Sequence, residues 1–242
     1  MSVESRQAPR PRAGRTTAGR RRLRHALTVA AIDLFGDNGY DATTVDEIAA
    51  AAGVGRRTFF RYFRSKEDAI FPDHEEVLGD IERSLASAAP AQDPVSVACT
   101  AVRLVLDYYV ADPDVSVKRF ALTRTVPSLR DREVATVDRY QRVFASYLRE
   151  RFEAAGDPAA GLRASVAAAA IAAANNHVLR RWLRGGGKHD IQADATEAFQ
   201  LVVDAFSAPG KENERTVVAV MASTASMAEV VQQISVALRP EH

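Results

Sequence analysis

Residues 44–68 read TVDEIAAAAGVGRRTFFRYFRSKED. Thr44 and Glu47 have the spacing of a capping box, in which each side chain binds the backbone N–H of the other residue. A short helix is therefore expected over residues 45–52. Gly53 follows at the point where the chain needs a left-handed turn, a conformation that glycine adopts without steric cost. The pattern of helix, glycine turn and second helix is typical of a helix-turn-helix.

The second helix, expected over residues 56–63, separates apolar from cationic side chains. Phe59 and Phe63 share one face of a helical wheel, whereas Arg57 and Arg61 point to the opposite face. Residues 56–66 include five basic side chains and no acidic one. A positive strip of this size fits the DNA major groove, which is about 12 Å wide. The alternative is a solvated charged face, but the pattern favours contact with double-stranded DNA.

Helical periodicity continues on both sides of this pair. Upstream, apolar residues spaced three and four apart predict a helix from Leu23 that ends at Asn38 and Gly39. Downstream, capping residues, prolines and glycines delimit further helices. They are expected over residues 66–88, 94–111, 115–126, 128–155, 161–183 and 193–206. No segment before residue 210 requires a strand, so the predicted fold class is all-α.

Over residues 23–70 the chain resembles the TetR family of bacterial transcriptional regulators. The motifs that carry the resemblance are TVDEIA at 44–49, GV at 53–54, TFFRYF at 58–63 and SKED at 65–68. The resemblance implies an N-terminal three-helix helix-turn-helix head over residues 23–70 and a larger helical ligand-binding and dimerisation domain over 71–208. It also implies a homodimeric repressor that a small hydrophobic effector releases from a palindromic operator.

The same resemblance implies which side chains contact DNA. Arg56, Arg57 and Thr58 match the base-reading positions of the family, and Phe60, Tyr62 and Lys66 match its backbone contacts. Phe60 replaces a tyrosine that is common in the family, so one phosphate hydrogen bond loses its donor and Arg61 is the expected substitute. The full predicted DNA-binding set is Thr44, Arg56, Arg57, Thr58, Phe60, Arg61, Tyr62, Arg64 and Lys66.

The two ends of the chain differ in charge. Residues 1–66 carry 13 basic and 6 acidic side chains, a net charge of +7, so the rest of the chain carries −6 of the overall +1. Residues 1–22 are arginine-rich and nearly free of apolar side chains, which predicts a disordered basic arm. The arm either threads a minor groove or stays solvated. Residues 209–242 are expected to form an extension that is partly helical.

Aromatic and polar side chains in the later helices are candidates for a ligand pocket. In the TetR family such helices surround an apolar cavity, and the predicted lining residues are Tyr108, Phe120, Phe144, Asn176 and His177. Segments from Phe120 to Trp182 also resemble an actinobacterial subgroup that includes regulators of the mycofactocin system. The resemblance makes long-chain acyl thioesters one candidate effector. A satisfied core or surface position is the alternative for each of these residues.

Other features exclude several classes of protein. One cysteine, Cys99, excludes a disulfide framework, and no histidines pair at the i, i+4 spacing of a metal site. The longest apolar run, residues 166–174, is much shorter than a bilayer span, so a cytoplasmic protein without membrane contact is expected. The glycines at 185–187 lack a phosphate-loop pattern, and neither an enzyme nor a cofactor is predicted. The remaining alternative is a helical small-molecule carrier or sensor whose head no longer binds DNA.

Overall fold

A computed structural model describes residues 16–71 and 74–207 of the 242-residue chain. The described residues form helices and no strand, which confirms the all-α class. The helices are α1 (Thr17–Asn38), α2 (Val45–Ala51), α3 (Arg56–Phe59), α4 (His74–Ala86), α5 (Pro94–Val110), α6 (Pro113–Thr125), α7 (Pro127–Ala154), α8 (Ala160–Arg184) and α9 (Ile191–Phe206). A 3₁₀ turn, Asp68–Ile70, lies between α3 and α4.

Local sequence signals set the boundaries of α1, α2 and α3. The capping box is present at α2: the Glu47 N–H donates to Thr44 Oγ1 at 3.3 Å, and the Thr44 N–H donates to Glu47 Oε2 at 2.7 Å. Gly39 and Gly53 have φ of +86° and +70°, conformations that a side chain would strain. Helical hydrogen bonding continues beyond α3 as far as Phe63, whose N–H donates to the carbonyl of Phe59 at 3.0 Å.

The structure differs from two of the predicted boundaries. Helix α1 begins at Thr17, six residues before Leu23, because the Thr16 hydroxyl accepts the Gly19 N–H at 3.0 Å and caps the helix. Residues 17–22 are therefore helical, and residues 1–15 of the predicted arm lie outside the described residues. The helix expected over 66–88 is also interrupted, since Phe71 is extended as a residue before proline prefers. Pro72 itself lies outside the described residues.

Two hydrophobic clusters organise the described residues. The first, the head cluster, is formed by buried side chains of α1, α2, α3 and the 3₁₀ turn, and Val115 of α6 and Leu129 of α7 also belong to it. The second, the body cluster, is formed by α4, α5, α7, α8 and α9 around Phe144 and Trp182. Phe71 belongs to the head cluster, although the predicted boundary placed it in the body. The domain boundary at residue 70 stays a prediction.

Helices α5 and α6 meet at a sharp bend of 97°. In the part of the chain that the structure describes, no single helix is long and apolar enough to cross a bilayer. Helices α5 and α6 together reach the required length and apolar composition, but only as a bent pair. The apolar side of α5, which includes Val95, Val102 and Leu106, is buried in the body cluster. Helix α5 is thus part of the hydrophobic core of the body.

Candidate nucleic-acid interface and ligand cavity

The surface around α3 separates its two kinds of side chain as the sequence predicts. The rings of Phe59 and Phe63 are buried in the head cluster with their centroids 5.4 Å apart. The side chains of Arg57 and Arg61 are exposed, and within residues 16–71 and 74–207 neither forms an ion pair with a carboxylate. The buried rings fix the orientation of the short helix, so both guanidinium groups are available to an anionic partner.

Arg56 lies beside these residues but is paired within the chain. Its Nη1 donates to Asp46 Oδ2 of α2 at 2.7 Å, and both side chains are exposed. The guanidinium also lies 5.2 Å from the centroid of the Phe60 ring, which is 45% exposed. Exposed ion pairs of this kind contribute about 1 kcal/mol or less, so DNA phosphates can compete for Arg56.

Lys66 and Tyr62, both predicted to contact the DNA backbone, make contacts with the head itself. The Lys66 ammonium donates to the carbonyl oxygens of Tyr40 at 2.7 Å and Thr43 at 3.1 Å, and it lies 4.2 Å from the centroid of the Tyr40 ring. The Tyr62 hydroxyl is buried, because its ring packs against the head cluster. In this conformation both side chains stabilise the head, and their contact with DNA phosphates stays a prediction.

The other predicted DNA-binding residues lie at the edges of this surface. The exposed Thr44 hydroxyl caps α2, and Thr58 on α3 is half-buried. Hydrogen bonds from the Thr44 backbone and hydroxyl lower the pKa of Glu47, which keeps its carboxylate charged at the start of α2. Arg64 is exposed and lines a cleft of about 400 Å³, which residues of α4 and α7 also line.

Family models match both halves of this arrangement. Residues 27–70 match the model described as bacterial regulatory proteins, tetR family, and residues 92–207 match the MftR C-terminal domain. The chain belongs to the TetR family. The second match agrees with the sequence resemblance to regulators of the mycofactocin system.

Individual TetR-family relatives match in part. The mycofactocin biosynthesis regulator MftR of Mycobacterium tuberculosis is 41% identical over 66 residues, and the match covers 26% of this chain and 33% of that protein. TcmR of Streptomyces glaucescens is 36% identical over 86 residues, covering 36% of this chain and 38% of that protein. The chain thus spans little more than a third of these curated relatives.

Solved structures of other TetR-family regulators share the fold. The Bacillus subtilis regulator FadR, solved with stearoyl-CoA, superposes with a TM-score of 0.55 at 22% identity, covering 74% of this chain and 97% of that one. SmeT, solved with triclosan, gives a TM-score of 0.58 at 19% identity, covering 84% of this chain and all of that one. At these identities the likeness shows the fold, a helix-turn-helix head joined to a helical body.

An apolar cavity lies in the body, between α4, α5, α7 and α8. Its free volume is about 50 Å³, and Tyr108, Phe144 and Asn176 of the predicted pocket line it. Phe120 lines a smaller adjoining cavity of about 20 Å³. His177 is exposed and lines neither cavity, so the structure separates it from the other four predicted residues.

Sequence reasoning missed several residues of the cavity wall. Asn175, which is 6% exposed, lines the cavity, whereas its neighbour His177 faces outward. The helical period of α8 could have shown this, because Asn175 continues the buried stripe of Ala168, Ile171 and Ala172. Tyr140 of α7 also lines the cavity.

The cavity wall includes the side chains of Tyr140 and Tyr109. The Tyr140 hydroxyl lies 3.0 Å from Nδ1 of His74, and burial raises the pKa of that hydroxyl. Burial likewise raises the pKa of Tyr109, and the nearby positive charge of Arg119 opposes the shift. Both tyrosines therefore stay neutral hydrogen-bonding groups at physiological pH.

Proposed function

We propose that this TetR-family chain is a sequence-specific transcriptional repressor that binds DNA through the surface around α3. The observation that carries the proposal is the exposure of the Arg57 and Arg61 guanidinium groups, which form no ion pair within the described residues, beside the buried Phe59 and Phe63 rings. Guanidinium groups presented on a helix can form bidentate hydrogen bonds with guanine edges in the major groove. The curated relatives named above are transcriptional regulators, which supports the same role.

The proposal is tested with the DNA upstream of the gene that encodes this chain. Fluorescence anisotropy compares a labelled fragment of that DNA with a random fragment of equal length at several salt concentrations. A repressor of this kind binds the upstream fragment at least about 1,000-fold more tightly than the random one. Equal affinity for the two fragments would favour the alternative of a carrier or sensor whose head does not recognise DNA.

We further propose a homodimer that binds a palindromic operator through two heads. The exposed Leu162 and Val166 of α8 and Leu201 of α9 support a dimer surface on these helices. They lie near the same end of the helix pair, since the Arg163 guanidinium donates to the carbonyl of Phe206 at 2.7 Å. Leu162→Glu combined with Leu201→Glu should convert a dimer to a monomer in sedimentation equilibrium. A wild-type chain that sediments as a monomer contradicts the proposed dimer.

We also propose that a small apolar effector binds in the body cavity and releases the DNA. The cavity of about 50 Å³ holds only a few water-sized groups, so a larger effector must displace wall side chains. A movement of α7 caused by this displacement would be transmitted to the head through the ion pair between Arg132 of α7 and Asp68 of the 3₁₀ turn. Effectors that bind the folded protein raise its melting temperature, so a thermal-shift screen of apolar acids, phenols and acyl-CoA thioesters tests the proposal. No shift with any of these compounds counts against it.

A further inference from the structure

Arg119 is a buried cation at the junction of the head and the body. It lies on α6 and is 3% exposed. Its guanidinium carbon lies 5.5 Å from the ring centroid of Tyr109 and 6.0 Å from that of Tyr108. Its Nε donates a hydrogen bond to the carbonyl oxygen of Ile70, the last residue of the 3₁₀ turn in the head.

The Arg119 charge lacks an anionic partner in the described chain. Its Nη1 is buried without a hydrogen bond of normal geometry, although the guanidinium also interacts with the Tyr109 side chain. No carboxylate of residues 16–71 or 74–207 forms an ion pair with it. Burial of an unpaired charge is costly, and proteins almost always pair a buried guanidinium with an anion or satisfy all of its donors. The neighbouring aromatic rings compensate for part of that cost through cation-π attraction. The unpaired Nη1 is therefore a donor ready for an external acceptor.

This donor lies where an effector in the body cavity can reach it. Arg119 lines the adjoining cavity of about 20 Å³, and Phe71, Tyr109, Glu133, Asn176 and Leu179 line both that cavity and the main one. The shared walls place an apolar chamber directly beside a cationic one. A molecule with an apolar hydrocarbon part and one small acidic group at its end matches the two cavities.

We propose that Arg119 binds the carboxylate of an apolar carboxylic acid, whose hydrocarbon part occupies the main cavity. The inference rests on the proposed ligand-binding function and specifies the chemical class of the effector. A carboxylate is favoured over a phosphate because the adjoining cavity, of about 20 Å³, is small and a carboxylate has fewer atoms than a phosphate. The carboxylate of Glu133 in the shared wall would also repel a doubly charged group more strongly than a singly charged one.

The position of Arg119 connects its occupancy to the DNA-binding head. The guanidinium that would bind the acid also holds the Ile70 carbonyl, and Ile70 is fully buried in the head cluster. A carboxylate that draws the guanidinium towards the cavity weakens or reorients this contact. Binding of the acid thereby changes the position of the 3₁₀ turn that follows the helix-turn-helix.

The first experiment compares three eight-carbon probes on the wild-type, full-length protein. Isothermal titration calorimetry measures the affinities of octanoate, octanamide and octanoyl-CoA. The charge-assisted hydrogen bond should make octanoate bind roughly 10- to 100-fold more tightly than octanamide, its uncharged analogue. Octanoyl-CoA, whose carboxyl is masked as a thioester, should bind more weakly than octanoate. Three results would overturn the proposal. Octanoate and octanamide could bind equally well, or octanoyl-CoA could bind more tightly than octanoate. Octanoate could also fail to bind at about 10 mM, which would mean a dissociation constant above that concentration.

The second experiment asks whether Arg119 causes the preference. Arg119→Gln should abolish the preference for octanoate, whereas Arg142→Gln, which changes an exposed arginine of α7 outside both cavities, should keep it. Glu133→Gln keeps the test decisive if Arg119→Gln fails to fold, because removing the nearby negative charge should tighten octanoate at least about twofold and leave octanamide unchanged. A preference that survives Arg119→Gln, or an octanoate affinity unchanged by Glu133→Gln, contradicts the assignment.

Failure of this inference is distinct from failure of the proposed function. A protein that binds its upstream DNA specifically and also binds octanamide as well as octanoate remains a ligand-responsive regulator without an Arg119 carboxylate site. A protein that prefers octanoate through Arg119 but does not discriminate upstream from random DNA has the carboxylate site without the repressor function. Both readouts use the same full-length preparation.

Discussion

Replacing Arg57 by alanine should weaken specific DNA binding without weakening the fold. Arg57 is exposed and makes no ion pair within the described residues, so its removal should change the free energy of unfolding by less than about 0.5 kcal/mol. A bidentate contact with guanine contributes about 1 to 3 kcal/mol of discrimination. A homodimer loses this contact at both half-sites, so the expected loss is about 2 to 6 kcal/mol, or at least about 30-fold in affinity.

Fluorescence anisotropy with the upstream fragment and a random fragment measures this loss. Arg142→Ala is the matched control, because it removes the same charge from an exposed position on α7 outside the head. Arg57→Ala should lose affinity for the upstream fragment far more than for random DNA, while Arg142→Ala should bind both as the wild type does. Equal losses of Arg57→Ala on the two fragments would refute base recognition and leave a phosphate contact.

Three further predictions follow from individual contacts. Asp46→Asn removes the ion-pair partner of Arg56 and a negative charge from the proposed DNA-facing surface, so the non-specific affinity for DNA at low salt should rise. An unchanged affinity would show that Arg56 does not approach the duplex. Lys66→Met should lower the free energy of unfolding by about 1 to 3 kcal/mol, because two carbonyl oxygens lose their donor, and a denaturation curve that matches the wild type would contradict this. Burial raises the pKa of the Cys99 thiol to about 12, so the reactive thiolate is scarce at pH 8. Iodoacetamide should therefore label the folded protein far more slowly than the urea-unfolded chain. Comparable labelling rates would show that Cys99 is accessible.

Signals that act within a few residues could be interpreted correctly from the sequence. The capping box at Thr44 and Glu47 depends on a spacing of three residues, and the left-handed turn at Gly53 depends on one residue. The separation of Phe59 from Arg57 follows from the helical period. These local rules were sufficient to predict the all-α class and the orientation of the α3 surface.

Contacts between distant segments were not predictable in the same way. Lys66 has the same charge as Arg57. The sequence around it does not show that its ammonium donates a hydrogen bond to the carbonyl of Tyr40, 26 residues earlier. Burial of Arg119 depends on the packing of α6 against the 3₁₀ turn 49 residues earlier. In both cases the tertiary structure, and not the residue type, determines whether a cation is available to a ligand.

The most direct test of the α3 surface places a photo-reactive group on it. The exposed ring of Phe60 can be replaced by p-benzoylphenylalanine, and the same replacement at Val134, which is 61% exposed on α7, serves as the control. Irradiation with the upstream DNA fragment should cross-link the protein at position 60 and not at position 134. Cross-linking at position 134 alone, or at neither position when the DNA is bound, would contradict the claim that the α3 surface lies against the duplex.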